Sequence, residues 1–207
     1  IQSMFFSSLS MLIARIVAGW GDAAIAAQKV GTQIESISYT TAEGFATAVN
    51  AFIAQNFGAR RLDRIRRGYW TAVGMIVAWS CLTTVMLVVF PAPLVRVFIQ
   101  EEEVVRTGVS YLRIMGYSQI LMCLEITSSG AFQGLGRPMP PTLAGIIGNA
   151  ARIPLAVFLS ATVLGLDGVW WSISISSIAK GIVVFTWFVV ILRRYTHRQA
   201  QGVDGLE

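Results

Sequence analysis

Residues Asp22 to Phe57 read DAAIAAQKVGTQIESISYTTAEGFATAVNAFIAQNF, a proline-free stretch that predicts one long helix ending at Gly58. Lys29, Thr32, Gln33, Ser36, Tyr39, Thr40, Glu43, Thr47 and Asn50 recur in it at steps of three and four, so they share one side of a 3.6-residue helix. The remaining positions are mostly Ala, Ile, Val, Phe and Gly. Lipid cannot solvate a continuous polar stripe, so this face is expected to meet water, a partner or a substrate path.

The rest of the chain fixes the solvent. Its 207 residues are 55% hydrophobic and 13% charged, and a mean hydropathy of +0.64 exceeds that of a soluble domain. An all-α integral membrane protein is predicted. Spans of about twenty apolar residues can be drawn at Ile1 to Gly19, Asp22 to Phe57, Tyr69 to Phe90, Gly108 to Gly134, Pro141 to Leu164 and Val169 to Leu192. The net charge of +5 does not point to nucleic acid, because the arginines lie between hydrophobic spans rather than on a soluble face. In GARRLDRIRRG, Arg60, Arg61, Arg64, Arg66 and Arg67 surround one acid, Asp63, which marks a cytoplasmic loop and puts both chain ends on that side. The opening IQSMFFSSLSMLIA has no signal-peptide pattern and reads as the inside of a hydrophobic helix, so the chain is expected to be a fragment. Residues 1–195 are assigned to the membrane lobe and 196–207 to a cytoplasmic tail whose polar end, GVDGLE, reads in part as appended residues.

Between the third and fourth spans, PAPLVRVFIQEEEVVRTG predicts a short interfacial helix followed by Glu101, Glu102 and Glu103 at the next helix start, where they complement its positive end. Gly130, Gly134, Gly136, Gly145 and Gly148 flank a tight turn containing Pro138, Pro140 and Pro141, and are expected to allow close helix approach.

Depth separates the ionisable residues of interest from surface anchors. At about 1.5 Å per residue, Glu43 lies about 21 Å from Phe57, Glu125 about 14 Å from Gly134, Arg152 about 17 Å from Pro141, and Lys180 about 20 Å from Arg193. Each such charge facing lipid costs at least about 2.5 to 3.5 kcal/mol, so all four should point inward. Two acids and two bases balance, and the structural reading is that Glu43 or Glu125 neutralises Arg152 or Lys180. The functional reading is that one carboxylate binds a proton or cation and couples it to substrate movement. Glu43 is the first choice, being mid-depth on the polar stripe. Glu35 lies round the helix beside Gly31, Ser38 and Ala42, where close packing competes with a cavity role. Ser172, Ser176 and Lys180 share a face of the last span, and Arg15 reads as an interfacial residue that snorkels outward.

Covalent catalysis is excluded by the absence of its motifs. The one histidine, His197, is in the tail, and there is no phosphate-cradling loop, zinc spacing or nucleophile elbow. Cys81 and Cys123 sit in separate apolar segments, so no disulfide, metal or cofactor is expected.

Three segments in order, VGTQIES (30–36), AxxxNAFIAQNFGARRLDR (46–64) and SSGAFQGLGRPMPPTLAGIIGNAARIPLA (128–156), resemble the C-terminal half of a multidrug and toxic compound extrusion (MATE) transporter. The run IARIVAGWGDAAIAAQKVGTQIES (13–36) resembles the DinF-like and related prokaryotic branch more than the eukaryotic one. The resemblance implies a twelve-helix secondary antiporter of two six-helix lobes in a prokaryotic inner membrane, exporting small organic cations in exchange for H+ or Na+. This chain would supply spans seven to twelve, and its partners would be membrane lipid, its substrates and the missing N-terminal lobe. In some family members acids near the start of span seven and in span ten contribute to cation binding. Glu125 falls in the latter span, whereas the start of span seven offers here only Gln2 and Ser3.

The cavity lining expected on this reading is Gln33, Ser36, Tyr39, Asn50 and Asn149, with Glu43, Glu125, Glu35, Lys180 and Arg152 as the charged set. Two alternatives stay open. One is a flippase for a lipid-linked precursor, which would need a strongly cationic cavity to hold phosphate. The other is a non-transporting membrane assembly whose buried charges only specify packing.

Overall fold

A computed structural model describes residues 11–200, with side chains described through Tyr195. The start of the first expected span, including Gln2 and Ser3, and residues 201–207 lie outside the described residues. The described chain forms α1 (helical over 11–18), α2 (Asp22–Gly58), α3 (Leu62–Val89), α4 (Pro91–Arg96), α5 (Glu102–Gly116), α6 (Gln119–Gly134), α7 (Met139–Ser160) and α8 (Leu166–Ala200).

The boundaries follow local chemistry. Gly21 precedes α2 with φ 100°, a left-handed conformation open to glycine. Pro91 stops α3 and starts α4, since its missing N–H is tolerated only in a first turn. Glu102 and Glu103 occupy the first turn of α5, as expected, and Glu102 also meets Arg96 of α4 at 3.2 Å.

Two expectations need correction. The arginine-rich segment is mostly not a loop: only Ala59, Arg60 and Arg61 connect α2 to α3, with Arg60 in the left-handed region at φ 56°. Leu62, Ile65 and Tyr69 are buried at helical spacing, and that packing draws α3 back through the charged run. The single span expected from Gly108 to Gly134 is broken at Tyr117 and Ser118 into α5 and α6.

That break costs backbone hydrogen bonds, which lipid cannot replace. Neighbouring hydroxyls replace them. Thr84 of α3 donates to the Gly116 carbonyl at 3.2 Å, Ser174 of α8 to that of Ile114 at 3.1 Å, and Ser118 to that of Met115 at 2.9 Å. Tyr117 stacks on Trp171 of α8, with centroids 6.1 Å apart and an 11° interplanar angle.

By length and composition, three helical segments among the described residues are apolar enough to cross a membrane: Leu62–Val89, Met139–Ser160 and Leu166–Tyr195. The polar stripe dilutes α2 below that criterion, and the break leaves α5 and α6 individually short. The all-α membrane architecture stands, with the fourth expected span made of two helices.

α2 and α6 make the most extensive contact, followed by α7 with α8 and α6 with α8. A Cβ on Gly130 would overlap the backbone of Ala46, so α2 and α6 cross there nearly backbone to backbone. One core joins Ile53, Ile65, Tyr69, Phe132 and Phe188 across α2, α3, α6 and α8, and a second joins Ile34, Val95, Leu112 and Trp170. Lipid tails are as apolar as these side chains, so close packing and satisfied polar groups hold the lobe together. Within α7 only Ala156 is buried, and the helix is attached chiefly through α8.

Candidate functional site

Most of the α2 stripe is exposed. Lys29, Thr32, Gln33, Tyr39, Thr40, Glu43 and Thr47 face out of the described helices, and Ser36 and Asn50 are half-buried. The hydroxyls of Ser36, Thr40 and Thr47 donate to carbonyls of their own helix at 2.6, 2.7 and 2.9 Å, and Thr32 does the same to Gln28. Lys29, Gln33, Tyr39, Glu43 and Asn50 are left to set the chemistry of the face. Glu43 lies beside Tyr39, which is also within electrostatic reach of Glu125.

Glu35 turns inward. Its Oε2 accepts from the Tyr111 hydroxyl at 2.8 Å and its Oε1 from Gln119 Nε2 at 3.0 Å. The Tyr111 ring occupies the space that a Cβ on Gly31 would fill, and its edge meets Trp170 at 5.3 Å and 89°. Gln119 is the first residue of α6, so the helix break delivers it to Glu35. It is fully buried, and its Oε1 has no hydrogen-bond partner among the described residues.

A second cluster lies between α6, α7 and α8. Glu125 Oε1 and Lys180 Nζ are 3.2 Å apart, with side chains 14% and 11% exposed. The lysine stem passes where a Cβ on Gly148 of α7 would stand. Arg152 donates from Nε to Ser176 at 2.6 Å and from Nη2 to Ser177 at 2.9 Å. The guanidinium also feels the charges of Glu125, Glu35 and Lys180, which links the two clusters electrostatically. Asn149, beside Gly148, is half-buried, and among the described residues its Oδ1 has no hydrogen-bond partner.

The expected charges are therefore sorted into distinct roles. Glu125 neutralises Lys180, two serines hold Arg152, and Glu43 stands outside on the exposed face. Arg15 is exposed on α1. Ser172 bonds back to Val169 of its own helix at 2.6 Å, while Ser176 carries the polar edge to Arg152. Tyr111, Gln119 and Ser177 were not anticipated. The signal for Gln119 was present, since Tyr117, Ser118 and Gln119 form a polar interruption in an overlong apolar run. Among the described residues no group of three or more His, Cys, Asp or Glu is placed to hold a metal ion.

The MatE family model matches residues 1–158. The chain belongs to the MATE family. It corresponds to the C-terminal half of such a transporter. It is 26% identical over 176 residues to the probable multidrug resistance protein NorM of Thermotoga maritima, covering 82% of this chain and 37% of that protein. A crystal structure of a MATE protein in the bent conformation matches with a TM-score of 0.87 at 19% identity, over 96% of this chain and 44% of the other. A MOP superfamily transporter from Pyrococcus furiosus, described as having a binding pocket of reverse polarity, matches at 0.84 and 20% identity, over 94% and 44%. The structural likeness is one of fold. The chain spans about two fifths of the length of the curated relatives it matches. Proteins of this family are integral membrane transporters rather than enzymes and need no cofactor.

Proposed function

We propose that residues 1–195 form one lobe of an alternating-access exporter of organic cations, driven by exchange for H+ or Na+, in a prokaryotic inner membrane with both chain ends cytoplasmic. The carrying observation is the inward-turned, half-buried carboxylate Glu35, held by a tyrosine and a glutamine at a helix break and in electrostatic reach of Arg152. Discontinuous membrane helices commonly build ion and substrate sites, because unpaired backbone and polar side chains are tolerated where they line a path.

In this reading the outer α2 face, with Gln33, Ser36, Tyr39, Glu43 and Asn50, fronts the second lobe across the substrate path, and Asn149 extends that lining on α7. Glu35 and the Glu125–Lys180 pair respond to the coupling ion. A proton or Na+ on either carboxylate changes the balance of charge around Arg152, and so biases the packing of α7 and α8 against α6. The near balance of acids and bases favours a cationic substrate over the phosphate of a lipid-linked precursor.

The test is efflux of a fluorescent organic cation from vesicles containing the complete transporter, under separately imposed proton and sodium gradients. Gradient-driven export is expected. Failure of both gradients to move several such dyes would remove the cation-exporter reading and leave the flippase reading ahead.

A further inference from the structure

A cleft of about 350 Å³ opens between α3 and α8 at the arginine-rich end of the lobe, lined by Arg66, Trp70, Val189, Leu192 and Arg193. Arg66 and Trp70 are one turn apart on α3, as Val189 and Arg193 are on α8, so each wall presents one cation above one apolar group. Trp70 is held on edge against Phe185 at 6.2 Å and 85°, which fixes the indole as one wall. Both arginines are exposed, and among the described residues neither makes an ion pair. Among the described residues no acid lines the cleft. Both helices contain segments apolar enough to cross a membrane, and the arginines lie near the ends of those segments. The cleft thus sits where hydrocarbon gives way to headgroups, a depth suited to a tryptophan and to snorkelling arginines.

We propose that this cleft binds the phosphate headgroup of an anionic phospholipid, bridged by Arg66 and Arg193, with the start of its acyl chains lying along Trp70 and Val189. Guanidinium groups present forked donors to phosphate, and a second arginine from the other helix makes the site specific for a group that fits between them. The apolar lower wall favours a lipid over a free anion, which would leave Trp70 and Val189 uncovered. Such a lipid would add a polar tie between α3 and α8 beside the ring contacts Tyr69–Phe188 and Trp70–Phe185.

The test is native mass spectrometry of the complete transporter, released from mixed phosphatidylglycerol and phosphatidylcholine, for wild type, Arg66→Gln/Arg193→Gln and a control Arg60→Gln/Arg61→Gln. The control removes equal charge from the same end but outside the cleft. Wild type and control are expected to retain a tightly bound phosphatidylglycerol, and the cleft variant to lose on the order of thirtyfold in its preference for that lipid. Arg66→Lys/Arg193→Lys is expected to regain part of the preference and to report that the fold is intact. Equal losses in control and cleft variant, retention in the cleft variant, or displacement of the lipid by excess inorganic phosphate would each overturn the proposal.

Discussion

Lys180 reaches Glu125, 3.2 Å away, by running its aliphatic stem through the space left open at Gly148 of the neighbouring helix. The pair therefore depends on a third residue that carries no charge. Gly148→Val should displace the stem and destabilise the lobe, as should Lys180→Met. Leaving one member of a buried pair without its partner costs about 3 to 5 kcal/mol. Lys180→Met/Glu125→Leu should lose less than the two single changes summed. Chemical unfolding of the purified transporter measures this, and strictly additive losses would contradict it.

Tyr111→Phe keeps the ring against Trp170 and removes only the hydroxyl donated to Glu35. It should destabilise by about 1 to 3 kcal/mol, the cost of leaving a buried polar group unsatisfied. Glu43→Gln, on the exposed face of α2, should stay within about 0.5 kcal/mol of wild type. Thermal unfolding followed by tryptophan fluorescence distinguishes the two.

Gly130→Ala should force α2 away from α6, because its Cβ would meet the Ala46 backbone rather than a side chain that can move. A loss of about 1 to 3 kcal/mol is expected. Gly145→Ala adds a Cβ into open space on α7 and should be neutral or stabilising by up to about 1 kcal/mol. Matched unfolding curves for the two variants check the contrast.

The α5–α6 break rests on borrowed hydroxyls. Thr84→Val and Ser174→Ala each leave a carbonyl at the end of α5 without its donor, at about 1 kcal/mol apiece. Hydrogen exchange at residues 114–119 should accelerate in both variants, and unchanged exchange would show that the break is held by other means.

The polar side of α2 was legible because a helix maps steps of three and four onto one face, and residues such as Gln33 and Glu43 emerge exposed there. That Glu125, Arg152 and Lys180 turn in among the helices was legible from the cost of a charge facing lipid. The pairing of Glu125 with Lys180 was one of several combinations left open, because the choice among them depends on which helices touch. The course of α5 and α6 was misread for a related reason. An apolar run records what lipid accepts, whereas the break at Tyr117 is made acceptable by Thr84 and Ser174 on other helices. Glu35 was placed in competition between packing and cavity, and its contacts with Tyr111 and Gln119 make it a half-buried acid within a packed face.

In the proposed function the inward carboxylates Glu35 and Glu125 couple ion movement to export while Glu43 does not. Gradient-driven dye efflux from vesicles, compared among Glu35→Gln, Glu125→Gln and Glu43→Gln at equal amounts of folded protein, tests it most directly. The first two should lose about tenfold or more of the gradient-driven rate, and Glu43→Gln should keep its gradient dependence with altered substrate affinity. Gradient-driven efflux that persists in both Glu35→Gln and Glu125→Gln would contradict it and make those acids structural counter-charges.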